Sequence, residues 1–146
     1  KQLYRTMLTK CPVRRYLVKA ILFVALGGMV GAVLRYLGST VAGKVMGDGF
    51  AYGTLLVNVV GCLVIGFLAG WGFTALEENP NARLFVVTGM LGSLTTFSTF
   101  GWETVQYLQD GRWQIAFANI ALNLAIGLAA VIGGFSAGQA LLAEAI

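Results

Sequence analysis

Four long apolar segments, separated by short polar breaks, set the hydropathy pattern of this chain. They cover about residues 20–42, 52–76, 84–108 and 113–142. Each is near or above the roughly 20 residues that an α-helix needs to cross the hydrocarbon core of a bilayer. The pattern predicts an all-α membrane protein with four transmembrane helices, joined by loops too short to hold a second folded domain.

Polar and helix-breaking residues mark the boundaries of these segments. Breaks are expected at residues 44–49, 77–81 and 110–112, where acids, glycines and Pro80 interrupt the apolar runs. Tryptophans and tyrosines fall mostly toward the segment ends, as they do in the aromatic belts at a membrane surface. These residues are Tyr36, Tyr52, Trp71, Trp102, Tyr107 and Trp113.

Composition agrees with a membrane location and excludes several kinds of active site. Of 146 residues, 58% are hydrophobic and only 11% are charged, too few charges for the surface of a soluble domain of this size. Histidine is absent, which excludes imidazole metal sites and His-based triads, so an enzyme is the weakest interpretation. Cys11 and Cys62 lie far apart and imply no disulfide framework.

Basic residues concentrate before the first apolar segment. The net charge is +4, and Lys1, Arg5, Lys10, Arg14, Arg15 and Lys19 account for six of the ten Lys and Arg residues. Juxtamembrane basic charge is typical of segments that bind lipid headgroups. We therefore divide the chain into a basic tail, residues 1–18, and a transmembrane domain, residues 19–146, and expect membrane lipid rather than nucleic acid as its partner.

The charges in the loops do not select one orientation in the membrane. With four spans, Lys19 and Arg83 lie on one side, and Lys44 and Arg112 lie on the other. Two against two gives no bias under the positive-inside rule, so such a chain can insert either way up. The basic tail favours an N-terminus inside the cell.

Glycines are abundant and recur at a spacing that favours close helix contacts. The chain has 20 glycines, and three pairs are four residues apart: Gly27/Gly31, Gly66/Gly70 and Gly134/Gly138. Small residues at this spacing let membrane helices approach closely. The four helices of one copy are expected to pack tightly, leaving no room for a lined pore, so we expect an oligomer.

Residues 92–100, Gly-Ser-Leu-Thr-Thr-Phe-Ser-Thr-Phe, are unusually polar for the middle of an apolar span. Five hydroxyl side chains follow Gly92 at membrane depth, where polar groups usually line a cavity or an ion path. The composition from Gly92 to Thr95 predicts a broken helix with freed backbone carbonyls. Two copies could bring such carbonyls together around one small monovalent cation.

Phe97 and Phe100 are three residues apart and share one face of a helix. The edge of a phenyl ring is electropositive, and Ser98 and Thr99 add hydroxyl donors. This set would suit a small, strongly hydrated anion that must be held weakly during conduction. Asn58, midway along the second span, could add amide donors to the same path or could join helices.

Three further polar side chains lie within the spans. Arg35 could form an electropositive vestibule for anions, with Glu103 as its counter-charge, or could reach the membrane surface. Asn119 and Asn123, four residues apart, could join helices or extend a polar track. The sequence leaves both alternatives open.

Three motifs together resemble the CrcB/Fluc family of fluoride channels. They are Gly-Gly-x-x-Gly-Ala-x-x-Arg-Tyr at residues 27–36, Gly-Thr-Leu-x-Val-Asn at residues 53–58 and Thr-Thr-Phe-Ser-Thr-Phe at residues 95–100. They occur in the family's order, and the resemblance covers nearly all of the chain from Lys19 onward. The basic tail and the two asparagines of the fourth span depart from the family pattern.

The resemblance implies a passive, fluoride-selective channel in the cell inner membrane that lowers cytoplasmic fluoride. It implies an antiparallel, dual-topology homodimer with a broken third helix and a structural Na+ at its centre. By motif position, the carbonyls of Gly92 and Thr95 would hold Na+. The fluoride pathway would comprise Asn58, Phe97, Ser98, Thr99 and Phe100.

Two other functions are compatible with a small four-helix membrane protein. A drug–proton antiporter of dual topology would need a carboxylate within the first span, which holds Arg35 and no acid. A non-transporting assembly subunit would use its glycine faces for contact alone. Transport of an organic cation would favour the first alternative, and absence of ion flux would favour the second.

Overall fold

A computed structural model describes residues 12–71, 76 and 78–144, and the first eleven residues of the predicted basic tail lie outside this part. The described helices are α1 (Pro12–Met46), α2 (Tyr52–Gly70), α3 (Pro80–Arg83), α4 (Gly92–Leu94), α5 (Phe97–Gln109) and α6 (Trp113–Glu144). Between α3 and α4, residues Leu84–Leu91 form a π-helical segment.

Four continuous apolar stretches of the structure are long enough to cross a membrane: Arg15–Met46, Tyr52–Gly70, Pro80–Gln109 and Trp113–Glu144. This confirms the predicted all-α architecture, with the third stretch bent. α1 begins inside the predicted tail and continues through Arg35 without interruption.

The turns around the spans lie where glycine and proline predicted them. Gly47, after α1, and Gly111, before α6, have φ values of 80° and 72°, a backbone region that glycine enters without steric cost. Asn79 caps α3 by accepting a hydrogen bond from the Ala82 N–H at 3.2 Å, with Pro80 in the first turn. Each span therefore starts or ends at a local sequence signal.

α2 and α6 pack backbone to backbone along two glycine pairs. A Cβ atom at Gly66 or Gly70 would overlap the backbone of Val131 or Phe135 on α6. Reciprocally, a Cβ at Gly134 would overlap the backbone of Leu63 on α2. Close packing through small residues is how membrane helices gain van der Waals contact, and the predicted role of these pairs is confirmed.

α1 packs in the same way against the first half of the third span. A Cβ at Gly27 would overlap the Phe85 carbonyl, and one at Gly31 would overlap the Met90 carbonyl. Both contacts fall on the π-helical segment, whose wider turns shift the carbonyl positions relative to an α-helix. The third span is thereby held against α1 on its first half.

The helix break in the third span lies at Thr95 and Thr96. Thr95 has φ −78° and ψ 154°, and Thr96 has φ −149° and ψ 114°, so both are extended. The sequence predicted the break from Gly92 to Thr95, but Gly92 is helical (φ −63°, ψ −27°) and α4 continues to Leu94. Only the end of the predicted break is extended, because Thr96 caps the next helix.

Candidate functional site

Asn58, on α2, is hydrogen-bonded to the backbone at the helix break of the third span. Its Oδ1 accepts a hydrogen bond from the Thr96 N–H at 2.8 Å, and its Nδ2 donates to the Thr96 carbonyl at 3.2 Å. The side-chain amide thus pairs with both polar groups of one extended residue. Extended backbone at membrane depth requires such partners, because lipid offers none.

A cluster of three hydroxyls opens α5. Thr96 Oγ1 accepts from the Thr99 N–H at 3.2 Å, as an N-cap side chain does, and lies 3.3 Å from Ser98 Oγ and 2.9 Å from Thr99 Oγ1. Three hydroxyls carry three hydrogens, and these two contacts use two of them. One hydroxyl hydrogen of the cluster therefore remains available for another acceptor.

The break also changes the hydrogen bonding of two carbonyls in front of it. In a continuous helix the Gly92 and Thr95 carbonyls would accept from the amides of Thr96 and Thr99. Those amides donate instead to Asn58 Oδ1 and to Thr96 Oγ1. The carbonyls of Gly92 and Thr95 are thereby released from their usual helical donors, and Gly92 is exposed.

The break borders an open cavity of about 420 Å³ between α2, the third span and α6. Its lining unites five of the predicted site residues, Asn58, Gly92, Thr95, Phe97 and Phe100. Gly61 and Cys62 from α2 and Asn123 and Leu124 from α6 complete much of the wall. Ser98 and Thr99 lie beside it, exposed on the same turn of α5 as Phe97.

Phe97 and Phe100 form a ring pair at the cavity. Their centroids are 5.5 Å apart and the ring planes are tilted by 52°, so their electropositive edges point in different directions. Phe97 is 81% exposed. Its ring, beside the exposed hydroxyls of Ser98 and Thr99, forms part of the outer surface of the chain.

A chain of amide and hydroxyl groups runs from the break into α6. Asn58 Nδ2 donates to Asn123 Oδ1 at 3.1 Å, and Asn123 Nδ2 donates to both Asn119 O and Asn119 Oδ1 at 3.0 Å. Asn119, with 0% exposure, donates to Thr104 Oγ1 at 2.9 Å, and Thr104 donates to the Phe100 carbonyl at 2.8 Å. The fourth-span asparagines thus join helices and also extend a polar track.

Glu103 and Arg35 lie apart from the cavity lining. Glu103 Oε1 accepts a hydrogen bond from Thr54 at 2.8 Å, and its Oε2 is buried without a hydrogen-bond partner in the described part of the chain. Arg35 is half-buried on α1. Within the described residues no ion pair joins Arg35 to Glu103, so the counter-charge expected from the sequence is not formed.

Sequence reasoning missed the pivotal position of Thr96 and the pairing of Thr54 with Glu103. Thr96 could have been found as an N-cap, because a threonine directly before an apolar residue that opens a helix, here Phe97, is a helix-start signal. Thr54 and Glu103 are 49 positions apart, and no local pattern connects them.

A sequence model of one family, described as "CrcB-like protein, Camphor Resistance (CrcB)", matches residues 22–135 of this chain. Several similar proteins carry the name fluoride-specific ion channel FluC. The one from Dehalococcoides mccartyi (strain CBDB1) is 44% identical over 121 residues, which is 83% of this chain and 93% of the relative.

Two further relatives carry the same name. That of Clostridium perfringens (strain 13 / Type A) is 45% identical over 113 residues, covering 77% of this chain and 88% of the relative. That of Shewanella woodyi is 49% identical over 106 residues, covering 73% of this chain and 85% of the relative. The family match, residues 22–135, includes every residue that lines the cavity.

Proposed function

This chain belongs to the CrcB family and is a multi-pass fluoride channel, and we propose that fluoride crosses it through the cavity bounded by Asn58, Phe97 and Phe100. One observation supports this assignment most strongly. The helix break bonded by Asn58, the pair of phenyl rings and the hydroxyl cluster all lie at one cavity. An antiporter would need a carboxylate in its first span, and α1 contains none.

The donors at the cavity suit a small anion that must lose water and then leave. Ring edges, a hydroxyl hydrogen and amide N–H groups each replace part of a hydration shell without a full positive charge. Conduction requires binding that is favourable enough for entry and weak enough for exit. Phe97 and Phe100 supply the ring edges, and Ser98 and Thr99 supply hydroxyls beside them.

A second copy of the chain would complete this path. Gly92, Ser98 and Thr99 are exposed near the middle of the third span, together with the Phe97 ring. Lipid offers no acceptor for the hydroxyl hydrogen that the Thr96, Ser98 and Thr99 cluster leaves available, whereas a homodimer contact over this surface would shield the cluster. The equal loop charges, Lys19 and Arg83 against Lys44 and Arg112, support a dimer whose copies insert in opposite orientations.

The released carbonyls of Gly92 and Thr95 fit a structural Na+ at such a contact. Carbonyl oxygens of unwound membrane helices are ligands for Na+ in transport proteins. The described residues contain no cluster of three or more His, Cys, Asp or Glu residues that could hold a metal ion, so the oxygen ligands would come from the backbone. The ion would hold two copies together.

An electropositive vestibule at Arg35 is the remaining part of the proposal. Arg35 lies on α1, which contributes no residue to the cavity lining. Its charge would therefore act at a distance, by raising the local concentration of anions rather than by contacting them. Arg35→Gln should lower fluoride efflux most at low ionic strength, where screening is weakest.

Fluoride efflux from liposomes tests the function. Purified full-length protein, reconstituted in vesicles loaded with potassium fluoride, should release fluoride to an external electrode once valinomycin allows potassium to follow. Vesicles loaded with chloride should retain it. Equal efflux of both anions, or none of either, would contradict a fluoride-selective channel.

The sodium proposal has a separate test. Protein purified in N-methylglucamine in place of Na+ should dissociate to monomer on size exclusion in detergent, and Na+ should restore the dimer. A dimer that persists unchanged without Na+ would contradict a structural role for the ion.

A further inference from the structure

The amide of Asn58 is fully engaged before any anion arrives. Its Oδ1 accepts from the Thr96 N–H, and its Nδ2 donates to the Thr96 carbonyl and to Asn123 Oδ1. A side-chain amide has only two N–H hydrogens, so both are committed. An anion at the cavity can be bound by Asn58 only if one of these two bonds is given up.

Geometry decides which bond is exchangeable. The two hydrogen bonds between the Asn58 amide and the backbone of Thr96 close a ring. The Nδ2 hydrogen in this ring must be the one on the same side of the amide as Oδ1. The other hydrogen points away from Oδ1 and meets Asn123. Opening the ring would release the backbone at the helix break, whereas giving up Asn123 leaves the break intact. Asn58 and Asn123 both line the cavity, so an anion there approaches the bond between them.

Asn123 is held in place from the opposite side. Its Nδ2 donates to both the carbonyl and Oδ1 of Asn119, a residue with 0% exposure that is anchored in turn to Thr104. Both hydrogen bonds that Asn123 Nδ2 donates are therefore made to Asn119, and its Oδ1 accepts from Asn58. An anion that takes the Asn58 hydrogen must displace this oxygen.

We propose that Asn123 sets the affinity of the path by competing with the anion for the second N–H of Asn58. It holds this hydrogen while the cavity contains no anion, yields it on entry and takes it back on exit. The competition weakens anion binding, which favours release and conduction. The inference rests on the proposed passage of fluoride through this cavity.

Removing the competing oxygen should tighten fluoride binding. A hydrogen bond contributes about 1 kcal/mol net, which corresponds to a factor of about five. Asn123→Ala should therefore lower the half-saturating fluoride concentration of initial efflux about fivefold, measured with the electrode over a range of internal fluoride concentrations. Asn123→Ser, whose hydroxyl lies one bond closer to α6, should act in the same direction and serves if the alanine variant does not fold.

Thr104→Val provides the matched control. It removes the acceptor of Asn119 at the far end of the chain with little change in side-chain shape, and it leaves the bond between Asn58 and Asn123 in place. The half-saturating fluoride concentration of Thr104→Val should stay within about twofold of that of the unsubstituted protein. A change of this size is well below the roughly fivefold change expected from the loss of one hydrogen bond.

Two results would overturn the proposal. These are an unchanged or raised half-saturating concentration in folded Asn123 variants, and an equal decrease in Thr104→Val. A wrong assignment of the path itself would show differently, as unchanged efflux when Phe97 and Phe100 are replaced.

Discussion

Asn58 and Thr96 form a two-bond ring that joins α2 to the break in the third span. The Asn58 amide matches the N–H and the carbonyl of Thr96 at 2.8 and 3.2 Å, as the carbonyl and N–H of the opposite residue do in a hydrogen-bonded pair of an antiparallel sheet. One side chain from another helix therefore replaces the hydrogen bonds that an unbroken helix would have provided. The break and its brace together place Phe97 and Phe100 at the cavity.

Replacing Asn58 should destabilise the fold as well as the path. Asn58→Ala leaves the polar groups of Thr96, a residue only 7% exposed, without their side-chain partner. An unsatisfied buried group costs about 1–3 kcal/mol. We expect a lower thermal midpoint in detergent, followed by the loss of monodisperse protein on size exclusion.

Asn123→Ala is the control for this stability measurement. Both variants lose the hydrogen bond between Asn58 and Asn123, but only Asn58→Ala opens the ring with Thr96. The midpoint should fall clearly further in Asn58→Ala. Equal decreases would show that the ring contributes nothing beyond the bond the two asparagines share.

Neighbouring glycines on α6 should respond in opposite ways to alanine. Gly134→Ala places a Cβ into the Leu63 backbone of α2, whereas a Cβ at Gly133 has open space around it. Overpacking in Gly134→Ala should lower the free energy of unfolding by about 1–3 kcal/mol. Alanine in the open helical position of Gly133 should raise it by about 0.5–1 kcal/mol. The thermal midpoint should fall in Gly134→Ala and hold or rise in Gly133→Ala. Similar midpoints would contradict close contact between α2 and α6.

Arg112 should hold the loop between α1 and α2 in place. Its Nη2 donates to the Gly49 carbonyl at 2.7 Å, and its guanidinium carbon lies 4.9 Å from the centre of the Tyr107 ring. Arg112→Ala removes both contacts, so amide hydrogens of residues 47–52 should exchange faster in deuterated buffer. Arg112→Lys keeps the charge but loses the planar donor, and should protect the loop only partly. Unchanged exchange in Arg112→Ala would exclude this anchoring role.

Periodic and compositional signals predicted most of the fold. Apolar length predicted the four spans, and the spacing of Gly66 and Gly70 with that of Gly134 and Gly138 predicted a close helix contact. These signals are local, because one helix face is determined by residues three or four positions apart. The clustered hydroxyls likewise predicted a break close to its observed position.

The contacts that the sequence did not predict depend on which helices pack against each other. Asn58 was identified as a donor, but its pairing with Thr96, 38 positions away, follows only from the packing of α2 against the third span. The same holds for Asn123, whose contact with Asn58 spans 65 positions. The sequence predicted the break from Gly92 to Thr95 because glycine with clustered hydroxyl residues weakens a helix, whereas the side-chain cap of Thr96 and the hydrogen bonds from Asn58 locate it at Thr95 and Thr96.

The central claim is that fluoride passes the ring pair at the cavity, and fluoride efflux from liposomes containing Phe97→Ile or Phe100→Ile tests it most directly. Isoleucine keeps apolar bulk and removes the electropositive ring edge. Phe117→Ile is the matched control, since Phe117 is 62% exposed on α6 and does not line the cavity. We expect each cavity variant to lower initial efflux by about tenfold or more, equivalent to about 1.4 kcal/mol, with an unchanged elution volume on size exclusion and normal efflux in Phe117→Ile. Normal efflux in both cavity variants would contradict the account.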